Sequence, residues 1–394
     1  MIRVGFSFEM TGSWLGGINY FRSLIGAILS LPQRQIEPVI FLAGPDRDKL
    51  AREFPNVEIV TTSLLERKTL AWLARRVVQR ATGRDLLLEH TMHGRRIDLL
   101  SHSGTLGAGA SIPTIGWVAD LQHRRLPELG DPAESAARDA VVERWARECS
   151  ALMFSSRAAH GDFGQFYPAV VKATHVPTYV IPFVPLTQPV DDSQAQRVAA
   201  QYGLPERYFY VPNQFWAHKN HRVVIEAALA LQGQGKPVEL VFTGGAQDYR
   251  NPGHYEALLE LAAPLEIHAR FLGVVPYADV LALLQGSIAV INPSRFEGWS
   301  STVEEARNLG KCILLSDIDV HREQAPARGV YFDPDDAYAL AEKMISVWQK
   351  YDAAAEEATR ARSLPDVDAR RRNFGAAFQE MVLEVRGRAS APRS

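Results

Sequence analysis

Two cysteines in 394 residues are too few for a scaffold held together by disulfides. Cys149 and Cys312 lie far apart in the apolar contexts ARECSALMF and KCILL, and are expected as buried free thiols of a reducing cytoplasm. No Cys/His cluster has zinc spacing, and no metal site is expected. A run of 18 apolar residues is also missing, so no transmembrane helix is expected. The opening, MIRVGFSFEM, lacks the long apolar stretch of a signal peptide and is expected to be a strand. Charge of one sign does not dominate. Lys plus Arg number 43 against 45 for Asp plus Glu, a net charge of −2, and this argues against bulk nucleic acid as the partner. Neither G-x-G-x-x-G nor a P-loop occurs, which leaves a nicotinamide or flavin dinucleotide unsupported. What remains is ordinary globular composition, 46% hydrophobic and 22% charged, at a length that suits two or three domains.

The hydrophobic pattern has an α/β rhythm. Ile2–Phe8 is a strand-like run that ends in a glycine-bearing loop, Thr11 to Gly17. Ile18, Phe21, Leu24, Ile25 and Ile28 then recur at helical spacing. Strand-like runs follow at Glu37–Leu42, Val57–Val60, Ile97–Leu100, Ile115–Val118, Ala151–Phe154 and Val176–Ile181. Pro177 assigns the last of these to a sheet edge. Polar Thr187–Gln196, after the proline-rich Pro182–Pro185, is expected as a linker. The rhythm restarts with strands at Tyr208–Pro212, Val238–Thr243, Ile267–Phe271, Ile288–Asn292 and Cys312–Leu315, and helical patterns lie between them. The implied fold is two doubly wound parallel sheets. Residues 1–187 would form one domain and 188–365 a second. Residues 366–394 would be a terminal helix with Phe374, Phe378, Met381, Val382 and Val385 as its apolar stripe.

Four segments are candidates for chemistry. In NPSRFEGWSSTVEEARNLG, Asn292–Gly310, Glu297 precedes a helix and Glu305 lies inside it, eight positions on. The helix start, with Ser300 or Ser301 as N-cap, suits an anion; a plain capped surface helix fits the same pattern. VPNQFWAHKNH, Val211–His221, places Lys219 after a predicted strand, where open α/β sheets bind ligands, with Asn220 opening a helix. The loop GSWLGGIN carries Gly16 and Gly17, a pair able to cradle a diphosphate. His123, in ADLQHRRLPE, follows the strand Ile115–Val118; a hydrogen-bonding surface histidine is the plainer alternative.

Taken together, these segments resemble the retaining nucleotide-sugar glycosyltransferases of family 4, which have the GT-B architecture of two Rossmann-like domains facing a central cleft. The resemblance spans almost the whole chain and is strongest from about 205 to 340, where PSRFEGWSSTVEEA has the family's E-x7-E spacing. It implies that Glu305 binds the nucleotide ribose and that Glu297 lies near the transferred sugar. Backbone amides of Trp299, Ser300 and Ser301 would face sugar and phosphate. Lys219 would hold the diphosphate, Gly16 and Gly17 would close over it, and His123 would lie near sugar and acceptor. Arg270 to Gly273, with Leu272, would border the base. Many relatives place an arginine six residues before the lysine. Here that residue is Asn213, which brings no charge, so neutralisation rests more on Lys219. The implied activity moves a hexose-type sugar (mannose, glucose or a deoxyhexose) from a nucleoside-diphosphate sugar to a saccharide or lipid-linked acceptor, without metal or cofactor. A sugar-nucleotide epimerase, a phosphorylase, or a non-catalytic sugar-nucleotide-binding protein on the same fold are the alternatives.

One stretch breaks the charge balance. RKTLAWLARRVVQRATGR, Arg67 to Arg84, has six basic residues and no acid, with Leu70, Leu73, Val77 and Ala81 on one helical face. Peripheral contact with anionic lipid is one reading; a surface helix with a solvated basic face is the other.

Overall fold

The structure, a computed structural model, describes residues 1–8 and 15–390. Its seven-residue opening run, IRVGFSF, forms strand β1 (Ile2–Phe8), with Val4, Phe6 and Phe8 buried. The first sheet continues with β2 (Ile36–Leu42), β3 (Glu58–Thr61), β4 (Leu99–Ser101), β5 (Thr114–Val118), β6 (Ala151–Phe154) and β7 (Thr178–Val180). Every pairing is parallel and the order is β3-β2-β1-β4-β5-β6-β7. β7, which follows Pro177, takes the edge, where the missing proline N–H breaks no ladder. The unbroken apolar runs Val39–Leu42 of β2 and Ala151–Phe154 of β6 fit strands covered on both faces.

A second sheet contains β8 (Phe209–Pro212), β9 (Leu240–Thr243), β10 (Ala269–Phe271), β11 (Ala289–Asn292), β12 (Ile313–Ser316) and β13 (Gly329–Phe332). It too is all parallel, in the order β10-β9-β8-β11-β12-β13. Both sheets therefore carry the doubly wound 3-2-1-4-5-6 pattern, with a reversal of strand order beside the first strand of each. Strand β13 was not expected from the sequence; only four residues separate Arg328 from the turn-forming Asp333–Pro334.

The chain folds as two compact units. The first comprises Met1–Leu121, Ala133–Leu186 and Asp368–Ser394, and the second Gln122–Pro132 and Thr187–Val367. The short segment that carries His123 thus groups with the second unit. The stretch expected as a linker turns helical at Asp192–Gln201. Asp191 caps it by accepting from the Gln194 amide, and Ala195 and Val198 are buried. In the first unit, the terminal helix Val367–Ser390 buries the anticipated stripe of Phe374, Phe378, Met381, Val382 and Val385. Phe378 stacks on Phe6, and the Gln379 side chain accepts from the Gln35 amide at 2.7 Å. Gly375 makes the close approach possible, since a Cβ there would lie 2.7 Å from the Ala27 carbonyl oxygen.

Candidate active site

In a doubly wound sheet the ligand crevice opens at the carboxyl ends of the two strands that flank the reversal of strand order. For the second sheet these are β8 and β11. The loop after β8 carries Lys219; the loop after β11 carries Glu297. Although 78 positions apart, the two side chains meet. Lys219 Nζ donates to Glu297 Oε1 at 2.7 Å, with side chains only 15% and 8% exposed. Ser294 Oγ donates to the same oxygen at 2.7 Å. Burial alone pushes the Glu297 carboxyl up, but the Lys219 ammonium, aided by Ser294, outweighs it and holds the pKa below the ordinary carboxylate range.

The lysine loop is fixed by its neighbours. Residues Ala217–Lys219 form a short 3-10 turn, and Asn220 follows in the left-handed region at φ 54°. The Asn220 side chain does not cap the next helix, His221–Gly233. Its Nδ2 donates to the carbonyls of Pro293 and Pro334, at 3.2 and 2.8 Å, which ties the lysine loop to the β11 and β13 loops. Asp248 accepts from the Ala217 amide at 3.0 Å, and Arg250 lies over the Trp216 ring. Glycine is needed at 244, where φ is +146° and a Cβ would lie 2.2 Å from the Asn213 carbonyl oxygen.

Ser300, not Ser301, is the N-cap of the helix Ser301–Asn308, accepting from the Val303 amide. Gln324 clamps it, its Nε2 donating to the Ser300 carbonyl at 2.9 Å and its Oε1 accepting from the Ser300 amide at 3.3 Å. Asn292 donates to Ser300 Oγ at 2.7 Å. Trp299 is half-buried beside this turn, and Ser301 is exposed. Glu305 lies inside the helix, 6% exposed, and accepts from the Tyr277 hydroxyl at 2.8 Å. Burial pushes its pKa up to about 7.

The other expected residues divide. Asn213, at the end of β8, is buried with Thr302 Oγ1 and Asn292 Oδ1 at 3.4 and 3.5 Å, where its neutral amide joins a polar network. His123 is buried in the short helix Gln122–Arg125 of the second unit. Leu272 follows β10 at its carboxyl end, but the Arg270 guanidinium is taken up by Glu239, which precedes β9, at 2.5 Å. Arg270 is thus drawn toward the opposite end of the strands from the crevice. Gly16 and Gly17 fall in the first turn of the helix Leu15–Leu29, and residues 9–14 of their expected loop lie outside the described residues.

Sequence reasoning missed three supports of the second-unit site: Asp248, Gln324 and His321. His321 is fully buried, its Nδ1 2.8 Å from the Ser316 carbonyl, and burial lowers its pKa while Glu297 opposes that fall. None sits in a motif that marks it. The first unit has its own feature at the reversal between β1 and β4. His102 directly follows β4 and is half-buried among Phe6, Tyr20, Phe21 and Trp117, with Tyr20 Oη 2.9 Å from its Nε2. Burial lowers its pKa to about 3, so the ring is neutral. A cavity of about 480 Å³ opens beside it, lined among others by Ser103, Arg75, Arg76, Arg144 and Trp145.

Residues 193–363 match the family described as glycosyl transferases group 1. The chain carries a glycosyltransferase domain of that group. The enzyme class is therefore glycosyltransferase, and the fold is GT-B. Solved structures similar along the whole chain include a glycosyltransferase from Rickettsia africae, with 13% identity and a TM-score of 0.67 over 100% of this chain and 99% of that one. HepE of Anabaena, in complex with UDP and glucose, has 17% identity and a TM-score of 0.68 over 98% and 100%. Sucrose-phosphate synthase of Thermosynechococcus elongatus has 15% identity and a TM-score of 0.66 over 99% and 100%. No curated protein matches the chain. Among the described residues, no helix is long and apolar enough to cross a membrane.

Proposed function

We propose that this glycosyltransferase moves a hexose-type sugar from a nucleoside-diphosphate sugar to a saccharide or lipid-linked acceptor, with retention at the anomeric carbon and without a metal. The observation that carries the reading is the Lys219–Glu297 pair at the crevice between β8 and β11, with the capped helix start at Ser300 and buried Glu305 following the same strand. In the reaction the anomeric C–O bond breaks and the diphosphate oxygen keeps the electron pair. The acceptor hydroxyl oxygen bonds to that carbon and passes its proton to the departing diphosphate oxygen. The developing charge on the diphosphate calls for fixed positive groups, which Lys219 and the N–H groups of the Ser301–Asn308 helix start would supply. Glu305 would accept from the ribose hydroxyls as a carboxylate. Glu297 and His123 would address the transferred sugar, and the cavity of the first unit would take the acceptor.

HepE was crystallised with UDP-glucose, which makes UDP-glucose a natural first probe alongside GDP- and dTDP-linked sugars. The test is a thermal-shift screen against nucleoside diphosphates and their sugars, followed by assay of diphosphate release with saccharide acceptors. A donor that raises the melting temperature and is turned over is the expected result. Lys219→Ala and Glu305→Ala should each lose most turnover; wild-type activity in either would sink the donor-site assignment. Binding without turnover by any acceptor, or by water, would favour a non-catalytic sugar-nucleotide-binding protein.

A further inference from the structure

The basic stretch 67–84 is built the wrong way round for a surface helix of a water-soluble domain. Its helix, Leu70–Thr82, is capped by Thr69 and ends at Gly83 in the left-handed region. The fully buried side of that helix is Arg75, which donates through Nε and Nη2 to Asp85 at 2.8 Å, each to the same oxygen. Facing out are Leu70, Leu73 and Val77, 86%, 53% and 58% exposed, in one stripe with exposed Ala74 and Ala81. Leu86, at the start of the adjacent helix Leu86–Gly94, adds a further 38% exposed leucine. An ordinary amphipathic helix turns such a stripe inward. Contiguous exposed apolar surface of this kind marks an interaction site.

Charge identifies the occupant. Arg67, Lys68 and Arg80 are exposed on or beside the same helix, and no acid occurs from 67 to 84. Arg76 is on the other side of the helix, over the Trp72 ring. An apolar stripe bordered by cations and free of carboxylates is complementary to a bilayer with anionic headgroups: acyl chains receive the leucines, and phosphates the arginines. We infer that the helix Leu70–Thr82 docks the first unit on an anionic membrane surface. Arg75, Arg76 and Gln79, on the side of the helix away from the stripe, line the first-unit cavity, so docking would hold that cavity one helix diameter, roughly 10 Å, from the lipid surface.

The test is flotation of the full chain with vesicles of phosphatidylcholine, or of equal parts phosphatidylcholine and phosphatidylglycerol. Binding to the anionic vesicles only, weakening as salt rises, is expected. Arg67→Gln/Lys68→Gln/Arg80→Gln should weaken it roughly 100-fold, at about a fivefold loss per charge. Leu70→Asp/Leu73→Asp/Val77→Asp should abolish it. All changes are at exposed positions, and unchanged circular dichroism would show that the variants fold. No binding to anionic vesicles by the wild type, or binding that both variants retain, overturns the proposal. A wild-type dimer that the aspartate variant converts to monomer also overturns it, because the stripe would then be covered by a second copy of the chain.

Discussion

Glu305 offers a prediction whose sign and size follow from its surroundings. The carboxyl is buried in the helix after the E-G loop, with Tyr277 donating to it, and burial lifts its pKa from 4.5 to about 7. Between those two values the unfolded chain gives up the proton while the folded chain keeps it. The unfolded state then binds fewer protons, so this group's contribution to stability falls as pH rises from about 4.5 to 7 and is level on either side. The full loss is about 3 kcal/mol. Glu305→Gln replaces the carboxyl with a neutral group of the same shape that still accepts from Tyr277. The variant should match the wild type in urea denaturation at the acid end of the window and exceed it by about 3 kcal/mol at pH 8. His102, His218 and His221, each driven to a pKa of about 3 chiefly by burial, contribute with the opposite sign. They are present in both proteins and cancel in the difference. Function should move the other way. A carboxylate accepting from ribose hydroxyls is a charge-assisted bond, so affinity for whichever nucleoside diphosphate the thermal-shift screen selects should rise through pH 7 in the wild type. In the variant it should be flat and weaker by about tenfold or more. Parallel stability profiles for the two proteins from pH 5 to 8 would refute the reasoning.

Three further outcomes are expected. Lys219→Met strands Glu297 without its cation and should cost about 3 kcal/mol of stability, whereas Lys219→Met/Glu297→Gln should recover most of that stability in urea denaturation and none of the diphosphate release. Asn220→Ala removes two hydrogen bonds to carbonyls and places alanine in the left-handed region, so it should lose about 2 kcal/mol and reduce kcat more than it changes the fold measured by circular dichroism. Gly244→Ala forces a Cβ against the Asn213 carbonyl and should lower the melting temperature by several degrees, about 2 kcal/mol or more; an unchanged melt would disprove the close approach.

Much of the fold was legible because a doubly wound sheet writes a strong local signal. β1 and β6 have the expected bounds, since short apolar runs between turn residues have few other solutions. Pro177 fixed the edge position of β7 before any pairing was known. The helix Asp192–Gln201 was missed because its composition is that of a loop, although Asp191 and Gln194 stand at the N-cap and N3 positions of a capping box. At the site, residues within one loop were readable and partnerships across the sheet were not. Glu297 and Lys219 each stood out by position, but their 2.7 Å contact depends on β8 and β11 being neighbours, which no local pattern states. Arg270 shows the converse: a basic residue near the right loop is neutralised by Glu239, just before the adjoining strand. Asp248, His321 and Gln324 act only by holding others, so nothing in their own sequence surroundings marks them.

The near-neutral total charge and the site chemistry are two views of one arrangement. A diphosphate needs positive charge, yet a chain of net charge −2 provides no long-range field to attract it. At the crevice of the second unit the charges of Lys219 and Glu297 cancel, while burial favours neutral forms of His218, His221 and Glu305. A buried lysine with no counter-charge would be costly, and the carboxylate makes it tolerable until a ligand arrives. If Lys219 holds the diphosphate as proposed, a donor would compete with Glu297 for its ammonium. It would do so with two phosphates, each able to accept more than one hydrogen bond, against one carboxylate oxygen already shared with Ser294. Such competition would favour a diphosphate over a monophosphate or a neutral sugar, and would give the site selectivity for charge without a basic surface. It would also leave Glu297 in need of a new donor, which the hydroxyls of a sugar attached to the same diphosphate would supply. On that proposal the pair would link recognition of the leaving group to orientation of the sugar that is to leave it.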